Sequence, residues 1–240
     1  MTSVLIPVYK GVTHLDFTGP HQFLSRTPGI EVVVASMGAS PIESYGLTFS
    51  NLADLALVER CDVLCIPGGV GCVEAIEDAR FLSAILRLAP TAKYLTSVCT
   101  GSLILGAAGL LEGRRACCHW AWRDMLPYFG AIADESRVVR DGNIITGGGV
   151  TAGIDLALTL IGELCGTDVA QQIQLLLEYA PDPPFGAGLP GSAPQHVHDA
   201  VLARMTDTLA ENRLRVRNAA QRIREQSMCR NAQATSSDLP

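Results

Sequence analysis

The amino-acid sequence predicts an α/β fold with a doubly wound, mostly parallel sheet sandwiched by helices. Short apolar runs rich in β-branched residues alternate with longer segments of helical periodicity, which is the pattern of βαβ units. The runs are almost continuously apolar, as expected for strands that helices cover on both faces. With 240 residues, 48% of them hydrophobic and 18% charged, the chain is suited to a large folded core rather than to extended disorder.

Five segments are predicted strands, and predicted helices lie between and after them. The strands are Ser3–Tyr9, Glu31–Ala35, Val63–Ile66, Tyr94–Val98 and Asn143–Thr146. The helices are Thr18–Ser25, Arg80–Leu88, an apolar segment that follows Ser102 and runs through about Ala108, and residues 150–165. Strands and helices in this order favour a flavodoxin-like arrangement.

A loop rich in proline and glycine separates this body from a helical C-terminal tail. We expect a catalytic domain over residues 1–180, a connection over 181–195 and a tail over 196–240 with a disordered end. We predict a tail helix over residues 196–226. Six of its residues, five of them apolar, follow one another at alternating steps of four and three, which places them on one face as an apolar stripe. They are Met205, Leu209, Asn212, Val216, Ala219 and Ile223.

The tail is basic although the whole chain has a formal net charge of −6. Residues 201–240 carry seven arginines and four acidic residues, so their net charge is +3 and that of the rest is −9. One interpretation is an arm that binds nucleic acid. The other, which we favour, is an amphipathic helix that packs on the acidic body or on a second subunit. The apolar stripe needs a partner, and about forty residues hold no helix-turn-helix pair.

The eight cysteines indicate a reducing compartment rather than a disulfide framework. The N-terminus lacks the succession of basic, apolar and small residues that marks a signal peptide. No stretch reaches the roughly 18 apolar residues of a candidate membrane span. We therefore expect a soluble cytoplasmic protein with free thiols and no membrane partner.

Cys99 is the strongest candidate for a reactive residue. It lies between the predicted strand Tyr94–Val98 and an apolar helix, on a turn like the one that carries the nucleophile of α/β-hydrolases. A helix N-terminus favours the thiolate form, and Gly101 and Ser102 leave room for a substrate. A buried structural cysteine is the alternative, but the position favours a nucleophile.

Two further turns follow predicted strands, at the edge of the sheet where active sites of this fold class lie. Residues 67–71 contain three glycines, whose backbone N–H groups near Gly69 and Val70 can form an oxyanion-type pocket. Asp16 follows the first strand and has two interpretations of equal weight. It caps the next helix, or it faces Cys99, where a like charge raises its pKa and lets it act as a general acid or base.

The remaining cysteines and histidines give weaker signals. Cys61 and Cys65 lack the spacing of a zinc site, and we predict no metal. His119 either contacts the site or is an ordinary core histidine. Cys117 and Cys118, just before it, are potential neighbours of the pocket.

Together these motifs resemble the ThiJ/PfpI superfamily over about residues 1–180. The matching segments are residues 16–20 (DFTGP), 67–69 (PGG), 97–102 (SVCTGS), His119-Trp120 and 146–155 (TGGGVTAGID). Within the superfamily the chain is similar to the isocyanide hydratases, also through residues 177–181. Thr100 stands where superfamily proteases have histidine, and Asp16 stands where the chaperone-like and deglycase-like members have glutamate. Cys117 and Cys118 replace a pair of threonines found in many relatives.

The resemblance implies hydration of an isocyanide to an N-substituted formamide. Cys99 would attack the isocyanide carbon to form a thioimidate, and Asp16 would act as general acid and base. Thr100, Gly69, Val70, Gly148 and His119 would position substrate and water. It also implies a homodimer, and no cofactor is required. Two alternatives remain: a ligand-sensing domain like those of AraC-type transcription regulators, and a redox or stress-response protein of the same superfamily.

Overall fold

A computed structural model describes the backbone of residues 1–237 and the side chains of residues 1–225. Eleven strands lie within the described residues. They are β1 (Thr2–Pro7), β2 (Ile30–Ser36), β3 (Ile42–Ser44), β4 (Leu47–Phe49), β5 (Ala53–Asp54), β6 (Val63–Ile66), β7 (Tyr94–Val98), β8 (Arg115–Ala116), β9 (Ile132–Ala133), β10 (Val138–Asp141) and β11 (Ile144–Gly147).

Seven α-helices accompany these strands in the described part of the chain. They are α1 (His14–Leu24), α2 (Cys72–Glu77), α3 (Ala79–Leu88), α4 (Gly101–Ala107), α5 (Ala152–Cys165), α6 (Thr167–Leu176) and α7 (Gln195–Ser237). Three short 3-10 segments, Met37–Ala39, Ala89–Thr91 and Arg123–Phe129, complete the regular structure.

The central sheet has seven strands in the order β10-β11-β7-β6-β1-β2-β5. Only the pair β10–β11 is antiparallel; the other neighbours run parallel. All residues of β6 and β7 are buried, as their continuous apolar sequences predict. The predicted α/β fold with a mostly parallel sheet between helices is confirmed.

The order of the strands brings three carboxyl ends together. The chain leaves β1 towards β2 on one side and later returns to β6 on the other, so the winding reverses beside β1. Ligands bind at such reversals in open α/β sheets. The segments that follow β1, β6 and β7 therefore lie side by side, and they carry Asp16, Gly68 and Cys99.

The longer elements match their predicted positions more closely than the short ones. β6 and β7 have the predicted bounds, whereas α1 begins at His14 rather than at Thr18. The β3–β4 hairpin, the two-residue strands, β10, α2 and α6 are not among the predicted elements. Two or three residues hold too little periodicity to identify a strand, and these short strands depend on pairing with distant segments.

The C-terminal helix α7 packs on the acidic body, as the favoured interpretation of its stripe predicts. Leu209, Val216 and Ala219 are buried. On the exposed side, Arg215 pairs with Glu74 at 2.7 Å and Glu77 at 2.5 Å. The domain boundaries stay predictions, although an irregular segment does separate α6 from α7. The expected disordered end includes residues 238–240, which lie outside the described residues.

Among the described residues, no helix combines the length and the apolar character needed to span a membrane.

Candidate active site

Cys99 occupies a strained turn between β7 and α4. Its φ is +58°, a left-handed conformation that residues with a side chain rarely adopt. The Cys99 N–H donates to the carbonyl oxygens of Gly147 at 3.0 Å and Gly148 at 2.8 Å, which holds the turn against β11. The residue is 5% exposed. The structure thus places the predicted nucleophile at the carboxyl edge of the sheet, in a conformation typical of functional sites.

Asp16 lies inside the first turn of α1 and does not cap it. Thr13 is the N-cap residue and makes no side-chain cap bond, so the capping interpretation is wrong. The Asp16 side chain is fully buried, and its Oδ2 accepts a hydrogen bond of 3.0 Å from the N–H of Gly68. Its Oδ1 has no hydrogen-bond partner among the described residues. The carboxyl group is therefore held at one oxygen and available at the other.

Burial sets the protonation of the Asp16–Cys99 pair. It raises the pKa of Asp16 to about 7, although the Gly68 N–H and the Cys99 thiol oppose part of this rise. Burial also raises the pKa of Cys99 well above its usual value, and the neighbouring Asp16 carboxylate adds to the rise. Burial thus opposes the thiolate form of Cys99 that the helix N-terminus is expected to favour, while the backbone N–H of Thr100 lowers the pKa of Cys99 in the expected direction.

Thr100 fixes the glycine turn rather than facing a substrate. Its hydroxyl accepts the Gly69 N–H at 2.8 Å and donates to the Gly69 carbonyl at 2.9 Å. A Cβ atom on Gly68 would lie 2.7 Å from Thr100 Oγ1 and 2.9 Å from Asp16 Oδ2, so only glycine fits there. The Gly69 N–H predicted for an oxyanion pocket is thus already bonded.

Gly148 supports the nucleophile from the other side. Its carbonyl accepts the Cys99 N–H, and its own N–H donates to the carbonyl of Arg137 at 2.8 Å. The Arg137 guanidinium pairs with Asp155 at 2.6 Å in the first turn of α5. Gly148 therefore positions the Cys99 backbone, and both of its backbone groups are occupied.

Of the remaining predicted site residues, His119 is half-buried and Val70 is exposed. The pKa of His119 is lowered by burial, which favours the neutral ring. Its Nδ1 accepts the Ala121 N–H at 3.3 Å, leaving Nε2 to carry the proton. A Cβ on Gly149 would lie 3.6 Å from the His119 ring, so the ring borders the loop behind Cys99. Val70 is 58% exposed, and its Cγ2 lies 3.8 Å from the position that a Cβ on Gly11 would take.

The two adjacent cysteines have different surroundings. Cys117 bonds to β11, with its Sγ 2.9 Å from the Thr146 carbonyl. Cys118 is buried, and its charge contributes to the raised pKa of Cys99, so it is the one near the nucleophile. Cys72, which received no role in the sequence analysis, is also buried near the pair; burial raises its pKa, and the Thr100 hydroxyl opposes part of this rise. An isolated cysteine at the start of a short helix gave no signal that could have identified it.

The arrangement places a buried thiol beside a buried carboxyl group. Cys99 and Asp16 share one environment, and each perturbs the pKa of the other. The described residues contain no cluster of three or more His, Cys, Asp or Glu side chains that could hold a metal ion. The chemistry that these side chains can perform is covalent catalysis coupled to a short proton transfer.

Comparison with known proteins identifies relatives over most of the chain. The model of the DJ-1/PfpI family matches residues 2–163. The chain is 49% identical to an isonitrile hydratase of Pseudomonas putida over 205 residues, which cover 84% of this chain and 89% of the relative. The crystal structure of a ThiJ/PfpI family protein from Pseudomonas syringae superposes with a TM-score of 0.86 at 41% identity, covering 91% and 90% of the two chains. The oxidized DJ-1 of Toxoplasma gondii superposes with a TM-score of 0.68 at 27% identity, covering 75% and 100%.

Proposed function

The chain belongs to the DJ-1/PfpI family, and on that basis we propose that it hydrates an isocyanide, R–N≡C, to an N-substituted formamide. The observation that carries the proposal is the buried Asp16 beside the strained Cys99. Its free Oδ1 is an acceptor that can move a proton between sulfur and a bound carbon atom. The similarity to the Pseudomonas putida isonitrile hydratase supports the same reaction.

The first half of the reaction adds the thiol across the isocyanide carbon. Asp16, as the carboxylate, accepts the thiol proton while Cys99 Sγ attacks the terminal carbon. Asp16 then gives this proton to the same carbon. The product is the thioimidate R–N=CH–S–Cys99, in which every atom of the thiol is conserved. The isocyanide carbon needs the proton of the Cys99 thiol. A raised pKa suits this step because it keeps that proton on sulfur until the attack.

The second half replaces sulfur with water. Asp16 accepts a proton from the water molecule that attacks the thioimidate carbon and passes it to the nitrogen. The tetrahedral intermediate then expels the sulfur of Cys99 as its hydroxyl group becomes the carbonyl of the formamide R–NH–CHO. The hydroxyl proton passes through Asp16 to Cys99, which restores the thiol. Splitting the hydration in this way replaces one difficult addition by two easier ones. No cofactor takes part in either step.

The other predicted site residues have supporting roles in this proposal. Thr100 and Gly69 hold the turn that positions Asp16, and Gly148 holds the backbone of Cys99. The Nε2–H of His119 and the exposed side chain of Val70 contact the substituent R or the attacking water. We propose that the protein acts in the cytoplasm as a homodimer.

The assay is formamide production from p-nitrophenyl isocyanide by purified protein. Cys99→Ala and Asp16→Asn should each lower the rate by roughly a thousandfold or more, as for members of a catalytic unit. Cys165→Ala and Asp182→Asn are matched controls away from the site and should retain the wild-type rate. Full activity of Cys99→Ala would refute the mechanism.

Mass spectrometry of the quenched protein tests the covalent step separately. The thioimidate adds the whole mass of the isocyanide to the peptide that contains Cys99. A ligand-sensing domain would bind the compound without turnover. A redox-sensing protein would instead show peroxide-sensitive Cys99 and no formamide, as expected for a reactive thiol without hydratase chemistry.

A further inference from the structure

A cavity of about 450 Å³ lies between the catalytic turns and α7. Its floor is formed by two turns in close contact: a Cβ on Gly11 would lie 2.9 Å from the Cα of Gly71. The side chains that face it are Lys10, Val70, Glu74, Glu211, Asn212 and Arg215. The same two turns lead to Asp16 and to the Gly68–Gly69 pair, so the cavity adjoins the active site from outside.

Asn212 is the unusual member of this lining. It is the one polar residue in the apolar stripe of α7 and is only 7% exposed. The described residues give its amide no hydrogen-bond partner, and the residue lines the cavity. Its amide atoms are not among the fully buried groups without a partner, so they reach the solvent of the cavity. A ligand in the cavity can replace that water and bond the amide.

The charges around Asn212 specify the chemistry of that ligand. Arg215 pairs with Glu74 at 2.7 Å and with Glu77 at 2.5 Å, so its charge is shared between two carboxylates. Lys10 acts on Glu74 from a distance, but among the described residues neither the Lys10 ammonium group nor the Glu211 carboxylate forms a direct ion pair. One cation, one anion and one amide thus line a single small volume without a direct partner.

We propose that this cavity binds a small zwitterion of the α-amino-acid type. Its carboxylate contacts the Lys10 ammonium group and the amide NH₂ of Asn212, and its ammonium group contacts the Glu211 carboxylate. The side chain of the ligand packs on Val70. Binding at this floor presses on the Gly11 and Gly71 turns, which connects the site to the segments that hold Asp16.

The test uses L-leucine, L-phenylalanine and L-tryptophan as probes and requires no isocyanide, so it stands apart from the proposed function. Isothermal titration calorimetry and thermal unfolding of the wild-type protein should detect at least one of them. L-Phenylalanine methyl ester lacks the carboxylate and N-acetyl-L-phenylalanine lacks the ammonium group. Both analogues should bind at least tenfold more weakly than the parent amino acid if that is the ligand.

Asn212→Leu extends the apolar stripe and is expected to fold with an unchanged or higher Tm. It should lose the binding heat and the ligand-induced rise in Tm. Asn218→Leu is the matched control, since Asn218 is exposed on the other side of the same helix, and it should bind as the wild type does. Glu211→Gln alters an exposed side chain and tests the ammonium contact independently of folding, with an expected loss of at least tenfold in affinity.

Two results would overturn the proposal. One is that none of the three amino acids binds the wild-type protein. The other is that binding persists at wild-type affinity in both Asn212→Leu and Glu211→Gln.

Discussion

Replacing Asp16 by asparagine should stabilise the protein while abolishing its activity. The substitution keeps an oxygen for the Gly68 N–H, which Oδ2 now accepts at 3.0 Å. It removes a carboxyl group that is fully buried and has one oxygen without a partner among the described residues. Burying such a carboxylate costs free energy, and that cost is visible in its pKa.

The magnitude follows from the difference between the folded and unfolded pKa values. Burial raises the Asp16 pKa from 3.8 to about 7 in the folded protein. A pKa raised by folding means that the native state binds the proton more tightly, so stability is lost as pH rises from about 4 to about 7. At about 1.4 kcal/mol per unit, the cost is about 1.6 kcal/mol at pH 5 and about 4 kcal/mol at pH 8.

The advantage of Asp16→Asn should therefore grow by about 3 kcal/mol between pH 5 and pH 8 and stay constant above it. Urea unfolding at four pH values measures the free energy of unfolding of Asp16→Asn and of the wild type. The titration of the groups that both proteins share cancels in the difference between the two values. Asp182→Asn removes an exposed carboxylate and serves as the control, with no such slope. An advantage that is independent of pH, or that shrinks as pH rises, would refute the electrostatic argument.

Three further predictions concern the same turn. In wild-type protein kcat/KM should rise tenfold per pH unit below about 7 and level off above it, because protonated Asp16 cannot accept the thiol proton; a flat profile from pH 5 to 8 would contradict this role. Thr100→Val removes both hydrogen bonds to Gly69 and should lower the free energy of unfolding, measured in urea, by about 1–3 kcal/mol. A variant as stable as the wild type would show that the Thr100 hydroxyl is dispensable. Gly68→Ala should reduce turnover at least a hundredfold in the isocyanide assay, since the new Cβ meets Thr100 and Asp16, whereas the exposed Gly188→Ala should not.

The sequence was sufficient for five of the seven strands of the central sheet, because these strands carry their own apolar pattern, whereas the edge strands β5 and β10 were not predicted. β6 and β7 are runs of buried apolar residues, and each ends directly before a glycine or a cysteine turn. The β3–β4 hairpin and the pair β8–β9 could not be predicted in this way. Their three- and two-residue strands depend on partners that tertiary packing supplies.

The candidate site was predictable in its residues but not in their contacts. Position after a strand identified Cys99, Asp16 and the glycine turn. It could not show that the Thr100 hydroxyl occupies the Gly69 N–H, or that Gly148 uses both of its backbone groups. The protonation of Cys99 was also inaccessible, because it depends on burial, which outweighs the helix N-terminus and is a property of the whole fold.

The position of Asp16 inside α1 explains why its burial both lowers the stability of the fold and raises the pKa of its carboxyl group. A capping aspartate would sit at the helix end with its carboxylate bonded to backbone N–H groups, which lower its pKa. Asp16 lies within the first turn instead, where the sheet excludes water and a single N–H reaches it. That placement costs stability and at the same time brings the carboxyl pKa into the range in which it can both accept and donate a proton. In the mechanism we propose, the same burial that destabilises the native state thus supplies the proton carrier that Cys99 requires.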